Sequence, residues 1–308
     1  MTPHELASAL EARGLYYPAA VTRTLAALLK MNPPAVRAVL LRGPAGVGKT
    51  ALTYAIAELL SADYIYYQAT LSTSEDDLMY KLLPSEQTRS GVEKVLGPLP
   101  EALRKSRENV VVLVLDEYDK TRPAADALLL DFLQHARLSV RMSAEERIIV
   151  GRKENLIVFL TSNDEREFSE PLLRRCVTIT IPHLSVQTIM QILQKHVNDE
   201  NLVLLLTQLY VDTIQANLRK PATVQELLQL AEAIKVLGAE ADFTTLVRAF
   251  VIKYDDDFSR FTKYVASREP YKFVSASKNE KARDASVDIS SHYDYKPASA
   301  VIVPPTSA

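Results

Sequence analysis

The octapeptide Gly43-Pro44-Ala45-Gly46-Val47-Gly48-Lys49-Thr50 constrains this chain more than any other stretch. It satisfies the phosphate-loop pattern G-x-x-x-x-G-K-[ST] in full. An apolar run from Ala35 to Leu41 leads into it and reads as a buried strand. Leu52, Ile56, Leu59 and Leu60 follow on one face at helical spacing. The chain has only eight glycines, and three lie in this loop. Glycine is entropically costly to order, so this concentration marks backbone that must come close to a ligand. Successive backbone N–H groups and the start of a helix make a concave anion site. Lys49 is expected to reach the β- and γ-phosphates of ATP, and the Thr50 hydroxyl to ligate Mg²⁺.

Composition excludes several alternatives. A net charge of −2 gives no chain-wide surface for nucleic acid, although a local basic channel stays open. The single cysteine, Cys176, rules out an internal disulfide and fits a reducing compartment. The five histidines have no ligand spacing, which argues against a structural metal. The start MTPHELASAL has no basic region followed by an apolar one, and no apolar run nears the ~20 residues of a membrane span. The expectation is a cytoplasmic protein with no membrane partner.

Thr2, Pro3 and Glu5 read as a capped helix start, and a second helix is expected over Ala19–Lys30. This 1–34 segment is expected to be a helical flap on the domain that follows. Tyr64 to Gln68 reads as a strand whose tyrosines pack against helices. Residues 71 to 109 read as polar and helical, broken at Pro84, Gly97-Pro98 and Pro100.

Val110 to Leu115 is an apolar run ending in Asp116 and Glu117. That is a buried parallel strand with carboxylates at its exposed tip. Asp116 is expected to hold Mg²⁺, directly or through water, and Glu117 to act as general base on the attacking water. A helix over Asp126–Gln134 and a hairpin over Leu138–Val150, across a polar Met142–Glu146, come next. Leu156 to Asn163 is a further buried strand, placing Asn163 where it can bond the water or the γ-phosphate. Glu170 to Arg175 is a short helix ending in Arg174 and Arg175. The pair either complements the helix dipole or faces a neighbouring subunit's γ-phosphate. Strand patterns stop after Cys176–Ile181.

From Ser185 to about Ser267 the pattern is helical throughout. Thr223 and Glu226 form a second capping box, opening a helix that ends near Gly238, with Arg219 and Lys220 just before it. Asp255-Asp256-Asp257 reads as an acidic helix start. From about Ser275 to Ala308 there is no hydrophobic period, and the stretch reads as a disordered tail.

The segments GPAGVGKT, LVLDEYDK with ALLLDFLQ, LTSNDEREFSEPLLRRC and LRKPATVQELLQLAEAI together resemble the AAA+ ATPases. More narrowly they resemble the MoxR family, in its branch associated with von Willebrand A domain proteins. The resemblance covers about residues 35 to 240. It implies an α/β fold, with a P-loop NTPase core of parallel sheet flanked by helices and an all-α lid. The boundaries are 1–34 helical, 35–184 nucleotide-binding, 185–268 lid and 269–308 tail. It also implies a homo-oligomer, usually a hexameric ring, with ATP between subunits. Carried over by motif, Lys49 and Thr50 are Walker A, Asp116 and Glu117 Walker B, and Asn163 sensor 1. Arg174 or Arg175, with Arg175 favoured, is the arginine finger. Arg219 or Lys220 is sensor 2.

The leading expectation is a ring-forming ATPase that remodels or matures a partner protein. A nucleic-acid motor using the Leu138–Val150 hairpin, with Arg137, Arg141, Arg147, Arg152 and Lys153 around it, is one alternative. A nucleotide-dependent scaffold is the other.

Overall fold

The computed structural model describes residues 1–32, 34–84, 91–141 and 146–266. The chain runs α1 (Pro3–Glu11), α2 (Ala19–Lys30), β1 (Arg37–Arg42), α3 (Lys49–Leu59), β2 (Asp63–Gln68), α4 (Glu75–Met79), β3 (Tyr80–Pro84), β4 (Val92–Leu96) and α5 (Pro98–Lys105). It continues β5 (Val111–Asp116), α6 (Ala125–His135), β6 (Arg137–Arg141), β7 (Glu146–Val150), β8 (Leu156–Ser162), α7 (Glu170–Leu173) and β9 (Val177–Thr180). Helices α8 (Val186–His196), α9 (Glu200–Gln215), α10 (Val224–Leu237), α11 (Phe243–Phe250) and α12 (Asp255–Ala266) close it.

Five parallel strands form one sheet in the order β2-β5-β8-β1-β9. Every residue of β5 and β8 is buried, which explains why both read as unbroken apolar runs: helices cover both faces. Each fully buried Val or Leu contributes about 1.5–3 kcal/mol, so these two strands anchor the domain. One face packs on α5 and α6 through Leu99, Leu103, Leu129 and Phe132. The other packs on α1, α2 and α3 through Leu6, Leu10, Leu25, Leu52 and Ile56. The N-terminal helices therefore share the core on this face of the sheet. A separate apolar cluster, including Leu206, Leu209, Leu227, Leu230 and Val247, holds α8–α12 together. The result is a parallel sheet flanked by helices, followed by a helical lid.

Two expectations give way. Residues 71–109 are not purely helical: β3 and β4 pair antiparallel as a separate two-stranded sheet. Its Leu82 and Leu83 stay exposed, so no burial pattern announces the strands. Pro98 and Pro100 do not break α5 but sit in its first turn, where missing N–H groups cost nothing. The tyrosines of β2 are not all core residues either. Strand β2 is the sheet's edge, so Tyr64 is half-buried and Tyr66 is 44% exposed.

The β6–β7 hairpin is present, with Leu138 opposite Ile149, while residues 142–145 of its turn lie outside the described residues. So do Pro33 and the 267–308 tail. Both capping boxes form, at Thr2/Glu5 and at Thr223/Glu226, and Asp255 opens α12. Cys176 is half-buried against the sheet core, where burial pushes its thiol up to about 12. Among the described residues no helix is long and apolar enough to cross a membrane.

Candidate nucleotide-binding site

The order of the strands puts the exits of β1, β8 and β5 side by side, where open parallel sheets bind ligands. The phosphate loop leaves β1 and enters α3 at Lys49. Gly48 is the N-cap in left-handed conformation (φ 90°), with no side-chain cap, so the first N–H groups of α3 are open to an anion. Gly43 N donates to Ser162 O at 3.3 Å, and Val47 buries its side chain in the core. Gly46 has φ +80°, and a Cβ there would lie 2.4 Å from Thr223 Cγ2. Ala45, Gly46 and Val47 thus face Ala222, Thr223 and Val224 of the lid across a narrow crevice.

Lys49 is buried, and its three donors are all engaged. Nζ reaches Gly43 O at 2.7 Å, Pro44 O at 2.9 Å and Asn163 Oδ1 at 2.7 Å. Burial lowers its pKa, against the pull of Asp116 and Asp119. Thr50 Oγ1 donates to Asp116 Oδ1 at 2.9 Å. That hydroxyl–carboxylate pair, beside a loop built for phosphate, supplies the hard oxygens Mg²⁺ takes while keeping water and phosphate ligands. The donor set fits ATP with Mg²⁺.

Glu117 follows β5 in left-handed conformation, φ 53°, which turns its side chain off the strand line. A non-glycine residue there costs about 1–2 kcal/mol. Its Oε2 accepts from Lys120 Nζ at 2.6 Å and Gln68 Nε2 at 3.1 Å. Lys120 is the main reason the Glu117 carboxyl sits below its ordinary value; partial burial opposes this.

Several residues of the site carried no signal beforehand. Thr161 Oγ1 donates to Asp116 Oδ1 at 2.5 Å and accepts Glu117 N at 2.8 Å, tying two strand ends together. Tyr66 OH donates to Asp116 Oδ2 at 2.9 Å; burial and this bond raise its pKa. Tyr17, between α1 and α2, donates to Gly48 O at 2.8 Å. Only tertiary pairing brings these groups in. Lys120 lies within the string LVLDEYDK, three residues after Glu117, and was legible by proximity.

The remaining candidates lie apart from this cluster. Arg174 is exposed and ion-paired with Glu170 one turn back, whereas Arg175 is half-buried and donates to Pro171 O at 2.8 Å. In the lid, the Arg219 guanidinium lies 5.2 Å from the Tyr254 ring centroid. Lys220 Nζ donates to Glu226 Oε1 at 2.8 Å. Neither Arg219 nor Lys220 lines the crevice between Ala45–Val47 and Ala222–Val224.

Comparison with known proteins agrees with this geometry. Residues 38–176 match the family described as AAA domain (dynein-related subfamily). The chain is 30% identical over 232 residues to the Chaperone protein ClpB of Enterococcus faecalis, covering 72% of this chain and 25% of that protein. It is 34% identical over 134 residues to the Protein MoxR of Methylorubrum extorquens, covering 42% and 34% respectively. It is 29% identical over 170 residues to the Replication factor C large subunit of Aeropyrum pernix, covering 55% and 29%. The chain thus spans between 25% and 34% of the length of these relatives.

Proposed function

We propose that this chain is a MoxR-like AAA+ ATPase that assembles with copies of itself into a ring, hexameric in the simplest case, and remodels or matures a partner protein. A von Willebrand A domain protein is the first client to test. One observation carries the reading: Lys49, Thr50, Asp116, Glu117 and Asn163 converge at the exits of three adjacent parallel strands. The likenesses to ClpB and MoxR support a protein client.

In this reading the open N–H groups of α3 and Lys49 bind the phosphates of ATP. Thr50 and Asp116 hold Mg²⁺, which when bound neutralises charge on the β- and γ-phosphates. Glu117, kept ionised by Lys120, orients and deprotonates the attacking water. Asn163 contacts the γ-phosphate or that water. No arginine of the same chain is paired into this cluster among the described residues. Arg174 or Arg175 of a neighbouring copy is the proposed source of the missing positive charge, and Arg219 or Lys220 acts from the lid.

The test is ATP turnover against protein concentration, with mass by light scattering, for wild type, Glu117→Gln, Arg174→Ala and Arg175→Ala. Turnover per subunit should rise with assembly. Glu117→Gln should bind ATP without hydrolysing it, and one arginine variant should assemble yet turn over at least tenfold more slowly. Turnover unchanged on dilution to monomer would sink the shared-site reading.

A further inference from the structure

The turn after β5 carries a second acid that the reaction outlined above does not use. Asp119 is 3% exposed, a location expensive for a carboxyl group unless it is well bonded. Its Oδ2 accepts three donors from the exit of β8: Ser162 Oγ at 3.0 Å, Asn163 N at 2.7 Å and Glu165 N at 3.0 Å. Its Oδ1 is buried without a partner, so all its hydrogen bonding is spent on this one loop. The loop is tight around it. Asp164 adopts φ 64°, donates its N–H to Ser162 Oγ at 2.9 Å, and is held by Arg42 Nε at 2.6 Å. The N–H groups of Asn163 and Glu165 converge on one acceptor oxygen, while that of Asp164 between them turns to Ser162 Oγ, so the loop makes a concave anion site filled by the protein's own side chain.

The same short turn therefore touches both halves of the reaction site. Lys120 Nζ engages Glu117, and its neighbour Asp119 holds the backbone of Asn163. The far end of Asn163 meets Lys49 Nζ at 2.7 Å. A lysine has three donors, and those of Lys49 are taken by two carbonyls of its own loop and by Asn163 Oδ1. An arriving phosphate oxygen must displace one of them. The carbonyls belong to the constrained phosphate loop, so the Asn163 amide is the partner free to turn. With its N–H clamped, it turns about its side-chain bonds while the loop stays in place.

We propose that Asp119 is a positioning residue for hydrolysis, acting through Asn163: it fixes the β8 exit so that the Asn163 amide can exchange Lys49 for the γ-phosphate in register with Glu117. This rests on the hydrolysis reading above. Asp119 touches neither nucleotide nor water in this scheme.

The experiment is a double-mutant cycle on the full chain, using Asp119→Ala, Asn163→Ala and the pair, with Asp119→Asn as the conservative variant. Lys49→Ala sets the background. Steady-state kcat and KM for ATP, affinity for a fluorescent ADP analogue and Tm are read for each. Asp119→Ala should lower kcat at least tenfold, leave ADP-analogue affinity within about threefold, and add nothing to the loss in Asn163→Ala. Asp119→Asn retains one acceptor oxygen for the same three donors and should recover most of kcat. If Asp119→Ala does not fold, the cycle is run with Asp119→Asn, whose smaller loss should likewise vanish in the Asn163→Ala background. Losses that multiply in the double variant would overturn the assignment and leave Asp119 a structural residue. Wild-type turnover no faster than Lys49→Ala would remove the hydrolysis reading, and this assignment with it.

Discussion

Lys49 Nζ donates to Asn163 Oδ1 at 2.7 Å, across 114 residues of sequence. The contact joins the phosphate loop after β1 to the exit of β8, its neighbour in the sheet. It also holds the buried ammonium in a cage of oxygens, where the phosphate of a nucleotide would compete for it.

Lys49→Ala removes the one buried cation of the phosphate loop. Charge-assisted hydrogen bonds contribute about 1.5–3 kcal/mol each. Nucleotide affinity should therefore fall by roughly tenfold to a hundredfold, measured by titration with a fluorescent ADP analogue. Retained affinity would show that the backbone N–H groups alone bind the phosphates.

Lys120→Ala tests the pairing that holds the Glu117 carboxyl below its ordinary value of 4.5. A lowered carboxyl keeps the base ionised, so turnover is lost only as pH falls through the lowered value. Removing Lys120 takes away the largest lowering cause, and the acid limb of the kcat profile should move to higher pH. The pair's stabilisation is present above pH 4.5 and lost as pH falls through the folded-state value. Being partly exposed, it is worth no more than about 1 kcal/mol. An acid limb that does not move would place the base elsewhere.

Gly46→Ala should uncouple loop and lid. The new Cβ meets Thr223 Cγ2 at 2.4 Å and Thr223 Cβ at 2.8 Å, and φ +80° disfavours any side chain. Thr223→Ser removes only the nearer of these atoms while keeping the hydroxyl that caps α10. Nucleotide affinity in Gly46→Ala should drop at least tenfold, and Gly46→Ala/Thr223→Ser should recover only part of it. Full recovery would mean that backbone strain at Gly46 is negligible.

Asp126→Ala probes the ion pair behind α7. Arg166 Nη2 reaches Asp126 Oδ1 at 2.7 Å, with side-chain exposures of 14% and 2%, and Ser169 N donates to Asp126 Oδ2 at 3.0 Å. Removing the carboxylate strands a nearly buried guanidinium, at a cost of about 3–5 kcal/mol. Calorimetry should show Tm lowered by roughly 10 °C. A change of only a degree or two would mean that water or a neighbouring acceptor takes over.

Much of this fold was legible in the chain. The Gly43–Thr50 loop, the apolar runs ending in Asp116-Glu117 and at Asn163, the helix over Ala19–Lys30 and both capping boxes are local patterns with local causes. Backbone sterics, apolar strand runs and cap hydrogen bonds leave their signature within a few residues, so short windows of the chain suffice to read them. The rest of the site depends on which strands become neighbours. Placing β2 at the sheet edge turned Tyr66 from a core tyrosine into a ligand of Asp116. Pairing β5 with β8 brought Thr161 and Asp119 onto opposite ends of the same clasp. The β3–β4 hairpin stayed hidden because Leu82 and Leu83 face solvent and no residue of either strand is fully buried. Strand order is set by the packing of helices from the whole domain, and no window of the sequence contains that information.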